Sequence, residues 1–124
     1  MNLHQEVETS EMKTILRQFM EQSNKHPSLK TLTQNWNRTL LLQITDTQED
    51  ILLKIENHQW FECSNIEDKD KAQIILRAEF MIMKDIFQGH SSPVERFFAG
   101  DLECFASDED QVKLDALCLV LWGI

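Results

Sequence analysis

Breakers are scarce in this sequence, which has three glycines and two prolines among 124 residues. No glycine-rich phosphate loop, linker or low-complexity segment is found. Basic residues are also few, with 12 Lys and Arg against 21 Asp and Glu and a net charge of −9. Nucleic-acid binding needs clustered Lys and Arg to neutralise phosphates, so no nucleic-acid partner is expected. Adsorption to an anionic membrane through a basic surface is disfavoured for the same reason. No stretch approaches the roughly 18 apolar residues that span a bilayer, so stable membrane insertion is not expected.

Cysteine gives little to build with. Cys63, Cys104 and Cys118 are odd in number and widely spaced, which suits neither a disulfide framework nor a zinc site. Each reads as an apolar filler rather than a nucleophile, because no histidine stands at a spacing that implies pairing. Asp108-Glu109-Asp110 lacks the alternating ligands and central glycine of a calcium loop, and reads as the acidic first turn of a helix. No catalytic triad, metal-ligand spacing or cofactor motif is present, so the expectation is no enzyme, no metal and no cofactor. The N-terminal MNLHQEVETSEMK lacks the apolar core of a secretory signal, and the chain is expected to be cytoplasmic with reduced thiols.

What is present is patterned apolar sequence. The hydrophobic fraction of 42% and charged fraction of 27% suit one globular domain over residues 1–124, with 1–8 the segment expected to be mobile. Within the N-terminal helix expected over 9–26, Met12, Ile15, Leu16, Phe19 and Met20 share one face. Thr9 or Ser10 can cap its start, and Lys25-His26-Pro27 supplies a basic end and a stop. Period-two segments follow at 38–45, 51–56, QWFECS and 74–79, with Leu41 interrupting the polar face of the first. Asn57-His58 suits a tight hairpin, and NIEDKDK reads as a solvated charged connector. These strands together suggest an antiparallel meander with one covered face.

The period changes at Phe80. FMIMKDIFQ reads as a short helix stopped by Gly89. Ser91 or Ser92 then caps a second helix, PVERFFA, which begins at Pro93 and closes at Gly100. DLECFA returns to alternation, and Ser107 or Asp108 caps a final helix over 109–122. Its apolar face is Val112, Leu114, Leu117, Cys118, Leu121 and Trp122.

In this order, Ile86-Phe87-Gln88-Gly89, Ser92-Pro93, Phe97-Phe98-Ala99-Gly100, Asp101-Leu102-Glu103-Cys104 and Leu114 through Leu121 resemble the sterol carrier protein-2 (SCP-2) family of lipid-binding domains. HPSLKTLTQNWNRTLLLQIT resembles the family's approach to its first strand. The similarity covers roughly residues 26–122 and is clearest over 72–106. It implies an α+β fold, with a five-stranded, largely antiparallel sheet and helices packed on one face. It also implies an apolar tunnel between sheet and helices that holds a fatty acid, acyl chain, sterol or isoprenoid. The chain departs from the family in having Ala106-Ser107-Asp108 where many members have a glycine, and in its apolar Phe80-Met81-Ile82.

The candidate lipid-binding residues are Phe80, Met83, Ile86, Phe87, Phe97, Phe98, Leu117, Leu121 and Trp122. The same residues suit a plain close-packed core. His90 and Ser91, between the short helices, are candidates to meet a carboxylate head group, with Arg96 nearby; a cap and an exposed histidine are the simpler reading of them. The alternative function is a ligand-free interaction module, a homodimer or the partner of another protein, with the C-terminal LCLVLW and FMIM segments as contacts.

Overall fold

The computed structural model describes residues 10–63 and 66–123. The expected mobile segment 1–8 and the alternative cap Thr9 lie outside the described residues. Helix α1 is Glu11–Lys25, capped by Ser10, whose hydroxyl accepts the Lys13 amide at 3.1 Å. Met12, Ile15, Leu16, Phe19 and Met20 are all buried, as the spacing requires. The helix stops at Lys25, as the basic end and Pro27 suggest. His26 is extended, and Pro27 opens a second helix, α2 (Pro27–Leu32), where its missing N–H costs nothing. The turn lets Leu29 enter the core.

Five strands follow in sequence: β1 (Arg38–Ile44), β2 (Glu49–Glu56), β3 (Gln59–Glu62), β4 (Ile74–Ala78) and β5 (Glu103–Phe105). Their spatial order is β3-β2-β1-β4-β5. The β2–β3 hairpin turns at Asn57 and His58, both at positive φ (51° and 69°), as the sequence suggests. The expected meander is incorrect at the next step. Strand β4 does not pair with β3 but runs beside β1, parallel to it, while the other three pairings are antiparallel. The connector responsible is not a loosely solvated loop. Its 3-10 turn, Ile66–Lys71, sends Asp68 to Lys54 at 3.1 Å and Lys69 to Asp50 at 2.6 Å. Asp50 and Lys54 alternate with Leu52 on the outer face of β2, where Leu52 and its partner Leu41 are buried. This accounts for the apolar Leu41 on an otherwise polar face.

The inner face carries Leu40, Leu42, Leu53, Ile55, Trp60, Ile74 and Leu76, all buried. Against it pack α1, α3 (Phe80–Phe87) and α5 (Asp108–Trp122), while α4 (Pro93–Ala99) buries no side chain of its own. Ser92 caps α4 with Pro93 at its first position, and Gly100 closes it at φ 85°. Ser107 caps α5 from an extended backbone (φ −66°, ψ 158°), so the turn at 106–107 needs no glycine. One expected face of α5 is corrected: Val112 points to solvent at 67% exposure, beside Leu119 and Val120, while Leu117 and Cys118 face inward. The helix is apolar on both sides, which blurs its period.

The start of α5 is fixed by a buried contact. Asp110 accepts the Trp36 indole N–H at 2.7 Å and pairs with the Arg38 guanidinium at 3.0 Å. Burial alone would push this carboxyl up. The Arg38 and Trp36 hydrogen bonds and the Arg38 charge outweigh it and hold the group below its ordinary value.

Candidate functional site

The helices do not close completely on the sheet. A cavity of about 190 Å³ lies between them. Its floor is laid across the strands by Trp60 on β3, Leu40 on β1, Leu76 on β4 and Cys104 on β5. From β3 to β5 there are four inter-strand steps, roughly 19 Å at about 4.8 Å each. Phe19 of α1 and Ile86 and Phe87 of α3 form one wall, and Leu114, Leu117 and Cys118 of α5 another. Phe19 organises the first wall, with edge-to-face ring contacts to Trp60 at 5.1 Å and Phe87 at 4.9 Å.

The outer side is formed by α4 through Pro93, Val94, Phe97 and Phe98. This helix buries none of its own side chains, and Phe98 is 80% exposed. It is tied down by polar contacts of Arg96, to Asp101 at 3.1 Å, Ser91 at 3.2 Å and Asp85 at 3.7 Å. Partly exposed contacts of that kind contribute little each. The cover is therefore the least firmly anchored part of the enclosure.

The lining is apolar with few exceptions. Gln111 is one, its amide nitrogen donating to the Ala106 carbonyl at 3.0 Å. Asp115 is the charged side chain among the described lining residues, and its carboxylate makes no hydrogen bond or ion pair among them. Burial raises its pKa. Trp60 is 4% exposed, and its indole N–H has no protein partner.

The nine candidate residues divide. Ile86, Phe87, Phe97, Phe98 and Leu117 line the cavity. Phe80, Met83, Leu121 and Trp122 do not. Met83 is wholly buried core, and Phe80 and Leu121 pack against that core from its edge. Trp122 lies over Gly89 and beside the Phe19 ring. Sequence reasoning missed Phe19, Trp60, Leu40, Leu76, Leu102 and Leu114. His90 and Ser91 lie outside the cavity: His90 is exposed, and Ser91 accepts a hydrogen bond from Arg96.

Two of the cysteines belong to this lining. Burial first, and then the Asp115 charge, raise the Cys104 thiol; the same causes push Cys118 up to about 12. A thiol so protonated is a poor nucleophile. Cys118 in the native protein is expected to resist iodoacetamide at pH 8 for hours, while the unfolded chain reacts fully. Peptide mass mapping would read this, and rapid native labelling at Cys118 would contradict it.

No protein-family model and no curated protein matches this sequence. Solved structures do match its fold. The UbiJ-SCP2 ubiquinone synthesis protein superposes with a TM-score of 0.70 at 13% identity, over 89% of this chain and 94% of that one. Sterol carrier protein 2 from Yarrowia lipolytica, in its apo form, gives 0.62 at 12% identity over all of both chains. Palmitated SCP2L2 from Aedes aegypti gives 0.55 at 10% identity, over 85% of this chain and 91% of that one. The chain has the SCP-2-like fold: a mostly antiparallel five-stranded sheet with helices. Among the described residues, no helix is long and apolar enough to cross a membrane.

Proposed function

We propose that this protein binds and carries an apolar chain, such as an acyl chain, sterol or isoprenoid, in the cavity beneath α4. It works in the cytoplasm as a binder and not as a catalyst. The observation that carries this reading is an apolar cavity of about 190 Å³ under a helix that buries none of its own side chains. An apolar cavity of about 150 Å³ is enough to hold benzene, so several chain carbons fit without rearrangement. A longer chain follows the floor across the strands and passes α4 at Phe97 and Phe98. Each buried CH₂ contributes about 0.8 kcal/mol before ordering costs, so some ten carbons suffice for useful affinity. The SCP-2-like fold, and a palmitated protein among those that share it, support the class of ligand.

Native mass spectrometry of freshly purified protein tests the reading, together with titration of a neutral pyrene-labelled alkyl probe. A co-purified lipid mass, or saturable displacement of the probe by alkyl chains, is the expected result. Leu114→Trp places an indole in the cavity from the α5 wall. It is expected to weaken probe binding by about tenfold or more with little loss of thermal stability. Unchanged binding by a folded Leu114→Trp variant would remove the cavity as the site.

A second reading rests on the outer face of α5, where Val112, Leu119 and Val120 are exposed. There the domain docks on a second copy or another protein. Absence of probe binding, with a sizing-column dimer dissociated by Leu119→Lys, would favour it.

A further inference from the structure

Asp115 is an uneconomical residue for an apolar wall. Its carboxylate lines the cavity half-buried, with no hydrogen bond or ion pair among the described residues, and partial burial raises its pKa. It stands near the thiols of Cys104 and Cys118, on which its negative charge acts. Leu114, Leu117 and Cys118 extend the same wall as apolar surface. A leucine or methionine would pack there at no desolvation cost. No hydrogen bond or ion pair among the described residues accounts for its place, while a ligand in the cavity lies beside it.

Resting on the carrier reading above, we infer that Asp115 selects the ligand's head group: the cavity takes an apolar chain ending in a hydroxyl and rejects the same chain ending in a carboxylate. A hydroxyl donates a hydrogen bond to the unpaired Asp115 oxygens, and that bond to a charged acceptor is of the stronger kind. A carboxylate brings a second negative charge into a wall of low polarity, where the repulsion is poorly screened. No Lys or Arg is part of the described lining to offset it. The overall charge of −9 acts in the same direction at the mouth. A methyl ester, neutral but unable to donate, falls between the two. Discrimination of this type comes from the penalty against the wrong ligand as much as from attraction to the right one.

The test is displacement of the neutral pyrene-alkyl probe by 1-hexadecanol, methyl palmitate and palmitate at pH 7.5, each below its aggregation limit. The wild-type protein is expected to bind hexadecanol about tenfold or more tightly than palmitate. Asp115→Asn keeps the side chain's size and removes its charge. It is expected to bring palmitate to within about threefold of hexadecanol, with a melting temperature no lower than that of the parent. Equal binding of palmitate and hexadecanol by the wild type overturns the inference and leaves the carrier reading standing. So does a preference that survives in a folded Asp115→Asn variant. Failure of all three chains to displace the probe, with no co-purified lipid, overturns both.

Discussion

Gly89→Ala is expected to destabilise the protein by about 3 kcal/mol, whereas Gly100→Ala, at nearly the same backbone conformation, loses only about 1 kcal/mol. Gly89 sits at φ 81° and Gly100 at φ 85°, so both substitutions carry the left-handed penalty of an L residue. Their surroundings differ. A Cβ on Gly89 would stand 2.5 Å from Cγ of Trp122 and 2.6 Å from its Cδ1, while at Gly100 nothing lies within 4 Å. The indole cannot simply swing away, because it rests against the Phe19 ring at 5.7 Å and closes the end of α5. Overpacking adds roughly 2 kcal/mol to the backbone term. Urea unfolding with an unchanged slope would measure the difference. Combining Gly89→Ala with Trp122→Leu should recover part of the loss relative to Trp122→Leu alone. Equal costs at the two glycines would mean that the approach of Trp122 is not what fixes Gly89.

The place of both glycines was legible in the sequence, and so was the start of α4 at Ser92-Pro93, because breakers act locally. The sheet was legible in part. Alternation identified the strands and the Asn57-His58 hairpin, but it carries no information about which strand lies beside which. The parallel β1–β4 pairing depends on a charged turn that crosses the outer face through Asp68 and Lys69, and neither residue looks structural in one dimension. The cavity lining follows from that topology. Phe87 and Phe98 drew attention because they flank breakers. Phe19 and Trp60 come from the first helix and an edge strand, and meet only after the sheet is assembled. The amphipathic face of α1 marked Phe19 as buried, without saying against what. Asp110 and Asp115 were hidden for a different reason. An acidic residue in a first helical turn, as at Asp110, is expected on dipole grounds alone, and a mid-helix Asp115 beside Leu114 and Ala116 gives no sign in one dimension of whether it faces water or a cavity.

Asp110→Ala, which removes a buried carboxylate, is expected to destabilise the fold by about 4 kcal/mol. The carboxylate accepts from two side chains: Trp36 gives its buried indole N–H at 2.7 Å and Arg38 its Nε at 3.0 Å, while the Asp110 backbone amide donates to the capping Ser107 hydroxyl at 3.1 Å. Removing it leaves the Trp36 N–H without a partner in a site that is 5% exposed, and leaves the Arg38 charge partly desolvated. The pH dependence has a definite sign. The folded pKa lies below the ordinary value of 3.8, so the contribution is complete above that value and is lost as pH falls through the folded pKa. The stability gap between wild type and Asp110→Ala should be constant from about pH 5 to 7 and narrow below about pH 4. Urea unfolding across that range would show it, and a gap that keeps its full size in acid would mean that the charged form is not what Arg38 and Trp36 hold. The consequence reaches the cavity. Asp110 fixes the first turn of α5 to β1, and the next turns of that helix carry Gln111, Leu114, Asp115, Leu117 and Cys118 to the wall. Loosening that anchor at low pH should therefore weaken ligand retention over the same pH range in which stability falls, through the position of one wall rather than through any contact between Asp110 and the ligand.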